Sequence, residues 1–512
     1  MSLIKRNIFA NLAGNFWSTC MSLVFIPLYI QFMGIEAYGL IGIFIIMQSL
    51  SPILDMGIGA TLNREMARFS VLPDKSQNAR NMLRTLEIIY FGLGFMIMVI
   101  VFLAAPYISH KWINYGRISP IDIQSALVIM GVVVALQALS GFYSGGLLGL
   151  QKQVLVNVIN MIISTLRGLG AIIVLWLVSP TIQAFFIWQA LVGILQTSLL
   201  AYFLWEKMPQ GSSRAVFKMS LLKEVWYFAA GISGITVMGM ILTQIDKIIL
   251  SRLLPLEIFG YYVLAGTVAM GLYRLIGPVS FAIYPKLAQL AALDDQKKLA
   301  SLYHTASQLM SVVILPCAVI IAFFPKEILF LWKQSPATIG NAHFLLSILV
   351  LGTALNGLMN IPYGLQLAYG WTKLVFYLNL IATVVLIPSI FYLVPIYGVT
   401  AAASAWVVLN SFYLITGIHI MHGRLLKSEE RRWWLDDVGK PLAAAVLTAL
   451  AGRLFINTGQ PYLIMFLLLA AIFFLSILFS VFACTQLRQR IFVNLGFTAK
   501  LTLPLKLWMQ RQ

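Results

Sequence analysis

The sequence predicts an all-α polytopic membrane protein. About 14 transmembrane helices are expected, as two six-helix lobes related by an internal repeat plus two C-terminal helices. Three observations lead there. Of 512 residues, 60% are hydrophobic and only 10% charged, where a soluble domain carries roughly a quarter charged residues. The apolar residues fall in runs of about 20, the length that crosses a hydrocarbon core of about 30 Å. Finally, a short pattern recurs. Met33-Gly-Ile-Glu-Ala-Tyr-Gly-Leu40 and Leu254-Pro-Leu-Glu-Ile-Phe-Gly-Tyr261 both read apolar, Glu, any residue, aromatic, Gly, at an offset of 221 residues. Both copies sit in a turn between two hydrophobic runs, as expected of an internal duplication.

The candidate spans run near 8–30, 39–58, 86–106, 123–148, 155–178, 183–204, 228–250, 261–283, 306–325, 343–365, 374–394, 397–418, 441–457 and 461–483. Lys5-Arg6 and the apolar run after them resemble a signal peptide, but no small-residue cleavage site follows. The run is therefore expected to stay as an uncleaved first span. The pairs 155–178/183–204 and 374–394/397–418 read as hairpins, turned at Ser179-Pro180 and Pro395-Ile-Tyr-Gly398, where Pro and Gly set the backbone. Glu206-Lys-Met-Pro-Gln-Gly-Ser-Ser-Arg214 is polar and reads as a linker. The expected division is a first lobe at 1–210, a second at 211–432, and two further helices with a basic tail at 433–512. That tail, with Trp508, reads either as an interfacial amphipathic segment or as a frayed end.

Orientation follows from the basic residues. With the N-terminus in the cytoplasm, 26 of the 35 lysines and arginines fall on the inner side, 5 on the outer side and 4 within spans. Positive charge stays inside, so both termini are expected in the cytoplasm. The net charge of +18 then lies against an anionic leaflet, and no nucleic-acid partner is needed to explain it. Cys20, Cys317 and Cys484 all lie in apolar runs, which argues against a disulfide framework or a metal knuckle.

Ionisable groups at membrane depth are costly and face protein or water rather than lipid. Arg167 stands mid-span in Asn160-Met-Ile-Ile-Ser-Thr-Leu-Arg-Gly-Leu-Gly170. It reads as the wall of a cationic cavity for a phosphate-bearing substrate, or as half of a buried salt bridge between helices. Arg274, in Gly271-Leu-Tyr-Arg-Leu-Ile-Gly-Pro278, has the same two readings, and Gly277-Pro278 is expected to kink its helix. Lys247 completes the cationic set. Its neighbour Asp246 points about 100° away on a helix, so the two are not expected to meet. Asp246 either pairs with a cation of another span or carries a proton or sodium ion. Asp55, in Leu54-Asp-Met-Gly-Ile-Gly-Ala60, reads as a coupling residue or as a polar end facing Arg64 or Arg68.

Asn356 and Asn360 share a helix face and either line a sugar path or bond between helices. Arg453 is expected to snorkel to the interface, and Glu36 and Glu257 to complement helix N-termini. Gly141, Gly145 and Gly149 allow close helix contact. His419 and His422 lack the acidic or thiol neighbours of a metal site. No phosphate-binding loop, HExxH or nucleophile elbow occurs, so no cofactor is expected.

Three segments together resemble the polysaccharide (O-antigen type) flippases. They are Leu54-Asp-Met-Gly-Ile-Gly-Ala-Thr-Leu-Asn-Arg-Glu-Met-Ala67, Asp246-Lys247 with Glu257-Ile-Phe-Gly-Tyr-Tyr262, and Asn360-Ile-Pro-Tyr-Gly364. The same superfamily holds the lipid II flippases and the multidrug and toxin extruders. The resemblance covers about residues 5–420 in layout. It implies an inner-membrane carrier that turns undecaprenyl-diphosphate-linked oligosaccharide from the cytoplasmic to the periplasmic leaflet by alternating access around a central cationic cavity. It also implies a polymerase and a chain-length regulator of the same pathway as partners. Many members have twelve spans; the two additional C-terminal spans are a departure that resembles the lipid II flippases. A drug extruder would be expected to offer acids to cationic drugs. A membrane enzyme acting on lipid-linked sugars would want a sizeable outer loop. The segment His110-Lys-Trp-Ile-Asn-Tyr-Gly-Arg117 is among the longest here and has no acid before Asp122.

Overall fold

The computed structural model describes residues 3–55, 58–69, 76–209, 213–221, 243–332, 334–457 and 459–494. Helices dominate, because only they satisfy every backbone group within one segment in a dry environment. The chain divides into two compact units, Met1–Gly260 and Tyr261–Gln512.

The first unit contains α1 (Leu3–Val24), α2 (Ile26–Asp55), α3 (Ile58–Phe69), α4 (Ser76–Tyr107), α5 (Pro120–Gly149), α6 (Gln153–Leu177) and α7 (Ile182–Lys207). Residues 243–253 form α8, and α9 (Leu256–Met270) begins before the unit ends. The first copy of the repeated motif interrupts α2. Gly34 takes φ 84 and ψ 165 there, a left-handed value that costs glycine no steric strain. A one-turn π-helix, Ile108–Trp112, continues α4. Helix α5 is central: it packs on α3, α4 and α7, while α6 packs on α1 and α7. The small residues of α5 explain part of this. A Cβ on Gly145 would lie 3.0 Å from the carbonyl oxygen of Gly59, and one on Gly149 would lie 2.4 Å from that of Asn63. Both glycines therefore serve internal packing on α3, as expected. Tyr90 stacks on Phe142 at 4.4 Å in the core behind them.

The second unit contains α10 (Tyr273–Ala292), α11 (Gln296–Phe323), α12 (Pro325–Leu331), α13 (Pro336–Leu358), α14 (Asn360–Ala368), α15 (Lys373–Tyr397) and α16 (Val399–Arg424). After α17 (Glu430–Arg432) and a π-helical stretch, Trp433–Gly439, come α18 (Lys440–Arg453), α19 (Tyr462–Ala483) and α20 (Thr485–Asn494). Helix α13 packs on α11 and α16, and α15 on α16. These pairings repeat α5 with α4 and α7, and α6 with α7. Caps repeat as well. Ser119 caps α5 just before Pro120, and Ser335 caps α13 just before Pro336. The two hairpin turns fall where expected: Thr181 caps α7, and Gly398, at φ 67, joins α15 to α16.

The C-terminal pair α18 and α19 packs on α11. Val319, Ile320, Phe324, Ala449, Met465 and Leu469 form part of their shared apolar core.

Eleven helices among the described residues are long and apolar enough to cross a membrane. Three expected spans are not among them. At 8–30, α1 ends at Val24 and carries Asn11 and Asn15, while residues 26–30 already belong to α2. Of 228–250, residues up to 242 lie outside the described residues. At 441–457, α18 has only 14 residues, about 21 Å of rise. The expected break at Gly277-Pro278 lies earlier: Gly271 and Leu272 separate α9 from α10, and Pro278 sits inside α10.

Candidate functional site

The buried charges divide by how they are partnered. In the first unit, Arg167 lies at mid-helix in α6 and is half-buried. Its Nη2 donates to Gln196 Oε1 on α7 at 2.9 Å, and Gln196 Nε2 donates to Asn160 Oδ1 at 3.1 Å. A neutral amide, oriented by a second amide, thus holds the guanidinium. No carboxylate reaches Arg167 among the described residues, whereas twelve ion pairs are formed elsewhere. The salt-bridge reading of Arg167 finds no support there. A guanidinium keeps its charge when desolvated, so its free donors remain available to an anion.

Lys247 on α8 donates to the Thr243 carbonyl at 3.1 Å and to Gln244 Oε1 at 3.4 Å. Contrary to expectation, its Nζ also lies 3.9 Å from Asp246 Oδ1, both side chains being partly buried. Cβ directions do diverge on a helix, but a four-carbon arm folds back over one residue. Asp55 ends α2; its side chain lies outside the described residues. Arg64 and Arg68, the arginines expected near it, meet Glu65 at 2.6 and 3.8 Å.

In the second unit, Arg274 is exposed in the first turn of α10. It makes no ion pair among the described residues. Pro278 has no N–H, so the Arg274 carbonyl lacks its helical donor. Beside it, Tyr273 donates from its hydroxyl to Asn356 Oδ1 at 2.7 Å, and Asn356 Nδ2 donates to Asn410 Oδ1 at 2.8 Å. Asn356 is therefore a link between α10, α13 and α16. Asn360 donates to the Asn356 and Gly357 carbonyls at 3.1 and 3.2 Å, closing the break between α13 and α14.

Other expectations need correction. Arg453, in the last turn of α18, has a partner as well: its Nη1 lies 2.5 Å from Oε1 of Glu327, which is 2% exposed. A buried carboxylate needs a cation, and α18, which packs on α11, supplies one. His419 does have an acidic neighbour, Glu430 at 3.2 Å. Among the described residues, no group of three or more metal-ligating side chains occurs. Glu36 does more than complement a helix dipole: its carboxylate accepts the backbone N–H groups of Gly116, Arg117 and Ile118 at 2.7 to 3.4 Å.

Sequence reasoning missed two buried clusters. Glu87 accepts from Arg84 at 2.7 Å, from the Tyr143 hydroxyl at 2.6 Å and from Trp205 Nε1 at 3.1 Å. An acid inside the expected span 86–106, with Arg three residues before it, was a readable signal. The second cluster centres on His304, which is fully buried. Its Nδ1 meets Asp437 Oδ2 at 2.5 Å and its Nε2 meets Glu429 Oε2 at 2.9 Å. Burial raises the Asp437 carboxyl above its ordinary value, and the bond to His304 opposes that shift. Gln308 completes the cluster by donating to Asp437 and accepting the backbone N–H groups of Gln486 and Leu487. The partners are more than a hundred residues apart, so only the fold reveals the cluster.

Comparison with known proteins gives consistent results. The family described as "Polysaccharide biosynthesis protein" matches residues 4–291, more than half of the chain, and the MatE family matches residues 232–392. A "Putative O-antigen transporter" of Shigella flexneri is 22% identical over 412 residues, covering 79% of this chain and 94% of that protein. Among solved structures, the lipid II flippase MurJ in an inward closed conformation superposes with a TM-score of 0.65 at 15% identity, covering 93% of this chain and 98% of MurJ. The MATE multidrug transporter DinF-BH gives a TM-score of 0.59 at 16% identity, covering 82% and 95%.

Proposed function

Because this multi-pass membrane protein belongs to the polysaccharide biosynthesis protein family, a flippase family whose superfamily also holds the multidrug extruders, we propose that its cargo is an undecaprenyl-diphosphate-linked oligosaccharide. The cargo passes from the cytoplasmic to the periplasmic leaflet of a bacterial inner membrane, with both termini in the cytoplasm. The Shigella flexneri relative, described as an O-antigen transporter, supports a lipid-linked polysaccharide as substrate.

The observation that carries this reading is Arg167. It is a spanning-helix guanidinium bonded to a neutral amide, with no carboxylate partner among the described residues. A diphosphate crossing a bilayer needs fixed cations at depth, and Arg binds phosphate oxygens in a bidentate way. Arg274 and Lys247 are the further cations of this reading. An exposed arginine in a spanning helix faces water rather than lipid, which suits a wet path for a sugar. The polyprenyl tail can remain in hydrocarbon throughout. Asp246 is the candidate for ion coupling, and its nearness to Lys247 lets a substrate phosphate compete for the same cation. The lobes at 1–210 and 211–432 would alternate in access, and a polymerase and chain-length regulator would receive the product.

The test is translocation of a fluorescent polyprenyl-diphosphate oligosaccharide in proteoliposomes. Wild type is compared with Arg167→Ala and Arg274→Ala at equal folded amounts. Each substitution is expected to lower the rate at least about tenfold, the effect of removing roughly 1.5 kcal/mol or more of charge-assisted bonding. Wild-type rates in both variants would overturn the reading, as would a wild type that moves cationic drugs but no lipid.

A further inference from the structure

Helix α6 has two contrasting faces. Gln153, Asn157, Asn160, Ser164 and Arg167 advance by four and three residues and so share one side of the helix. They form a polar stripe about 21 Å long. Val158, Ile162, Leu169 and Ile173 occupy the opposite side, and all four are exposed. A spanning helix of this kind has lipid against its apolar side and protein or water against its polar one. Helix α6 contains no Asp or Glu, so Arg167 is the only charge on it.

Helix α1 lies along this stripe. Asn157 Nδ2 donates to Asn11 Oδ1 at 2.6 Å and to the Gln153 carbonyl at 2.8 Å. Gly14 makes room for that amide: a Cβ there would lie 2.3 Å from Asn157 Oδ1. Further along, Trp17 Nε1 donates to Thr165 Oγ1 at 2.9 Å. The two interhelical bonds join residues 146 and 148 apart in sequence, so α1 and α6 run parallel in a fixed register. Asn15, one turn beyond Asn11, therefore stands level with the turn that holds Asn160 and Ser164.

Helix packing accounts for Asn11 and Asn157, which bond to each other. It leaves Asn15 and Asn160 unexplained. Asn15 is exposed, and its side-chain amide has no hydrogen-bond partner among the described residues. Asn160 Oδ1 accepts from Gln196 at 3.1 Å. Its Nδ2 has no partner among the described residues, yet it is not sealed from solvent. Ser164 donates to the Met161 carbonyl at 3.0 Å, which leaves its oxygen free to accept. An amide offers donors and an acceptor together. Sugar hydroxyls each donate and accept, so paired amides match them. Neutral amides beside one fixed cation suit a neutral sugar joined to a phosphate.

We propose that Asn15 and Asn160 recognise the first sugar after the diphosphate, and so decide which glycan is accepted, while Arg167 holds the phosphate oxygens. This role rests on the lipid-linked cargo proposed above and adds the residues that read its sugar. Asn160 and Arg167 are seven residues apart on one face, about 10 Å. A diphosphate with one pyranose ring spans that separation, so a single molecule reaches both. The glycan then points toward the start of α6, the cytoplasmic end in the orientation proposed above.

The test uses the full chain in detergent and counts bound lipid by native mass spectrometry. Wild type, Asn15→Leu and Asn160→Leu are each titrated with a polyprenyl diphosphate carrying a trisaccharide and with the same polyprenyl diphosphate bearing no sugar. The readout is the ratio of the two affinities, and Tm verifies folding. Asn15 is exposed and makes no side-chain bond among the described residues, so its variant is expected to fold whatever becomes of Asn160→Leu. If Asn160→Leu merely spoils the aim of Arg167 through Gln196, both lipids weaken alike and the ratio holds. Wild type is expected to prefer the glycosylated lipid at least about fivefold, and each variant to reduce that preference at least about threefold. A change in one variant alone assigns the role to that residue and removes it from the other. A ratio unchanged in both variants makes the amides packing residues and overturns the proposal. Equal binding of the two lipids by wild type also overturns it, while the cargo reading still stands on translocation. A wild type that binds neither lipid overturns both.

Discussion

Arg167 and His304 show how differently buried polar side chains are held in one chain. Arg167 leans on the neutral Gln196, while His304 is clamped between two carboxylates. The first arrangement leaves donors available; the second engages both ring nitrogens. If Gln196 aims the guanidinium, Gln196→Leu lowers lipid translocation roughly tenfold, since a charge-assisted hydrogen bond contributes about 1.5–3 kcal/mol. Thermal stability, measured by tryptophan fluorescence, should barely move. A large fall in Tm at unchanged rate would make Gln196 a packing residue. For His304, loss of the clamp is a stability matter: breaking a buried pair costs about 3–5 kcal/mol. The sign with pH follows from Asp437, whose carboxyl burial raises above 3.8 and whose bond to His304 opposes that shift. Between its unfolded and its raised native pKa, the folded state binds more protons than the unfolded one, so stability falls as pH rises through that window. His304→Gln removes the opposing bond and widens the window upward. The variant is therefore expected to melt higher at pH 5 than at pH 7, with a larger gap than wild type. A variant Tm independent of pH would show that Asp437 is not the responsible group.

At the scale of elements, the spans were legible because burial in lipid leaves a simple mark: an apolar run of sufficient length. Partnering was not, because it depends on which helices meet. The polar stretch 206–214 illustrates the difference. It was expected as a linker, yet it begins a segment stitched to α4. Gln77, Asn81 and Thr85 lie on one face of α4 at intervals of four residues. They accept the backbone N–H groups of Ser213, Val216 and Lys218 at 3.0, 3.0 and 2.9 Å. Asn81→Leu with Thr85→Val removes two of these acceptors. Trypsin cleavage after Arg214 and Lys218 should then quicken at least about fivefold, because cleavage tracks local opening. Unchanged digestion would show that the stitches hold nothing. Gln308 plays a similar part at the other end, holding Gln486 and Leu487 and with them the chain beside Cys484. That thiol is fully buried and pushed up to about 12, by desolvation first and by Asp437 second. It should resist alkylation at pH 7.5 in wild type and react in Gln308→Leu, read by peptide mass spectrometry. Labelling of native wild type would contradict the docking.

For the whole molecule, the repeat was readable as a motif offset, and its physical reason emerges only from backbone approach. A Cβ on Gly39 would sit 2.5 Å from the Leu256 carbonyl oxygen, and a Cβ on Gly260 would sit 2.4 Å from the Ile35 carbonyl oxygen. Both contacts lie within the first unit. Residues 35 and 256, and 39 and 260, are each separated by the motif offset of 221. Each copy of the motif thus presses its glycine on the first helical residue of the other, a reciprocal contact of the kind a two-fold relation produces. The aromatic residue before each glycine, Tyr38 or Phe259, is buried. Glycine is needed because the opposing atom is backbone and cannot rotate away. Gly39→Ala and Gly260→Ala should therefore each cost about 1–3 kcal/mol and lower Tm by similar amounts. Made together they should cost less than their sum, because the separation forced by one methyl makes room for the other. Gly141→Ala, where a Cβ meets nothing within 4 Å, is the control and should be neutral or slightly stabilising, as alanine favours a helix by about 1 kcal/mol over glycine. Strict additivity of the double substitution would show two independent contacts, and the shared motif would then be a relic of duplication rather than a working seam.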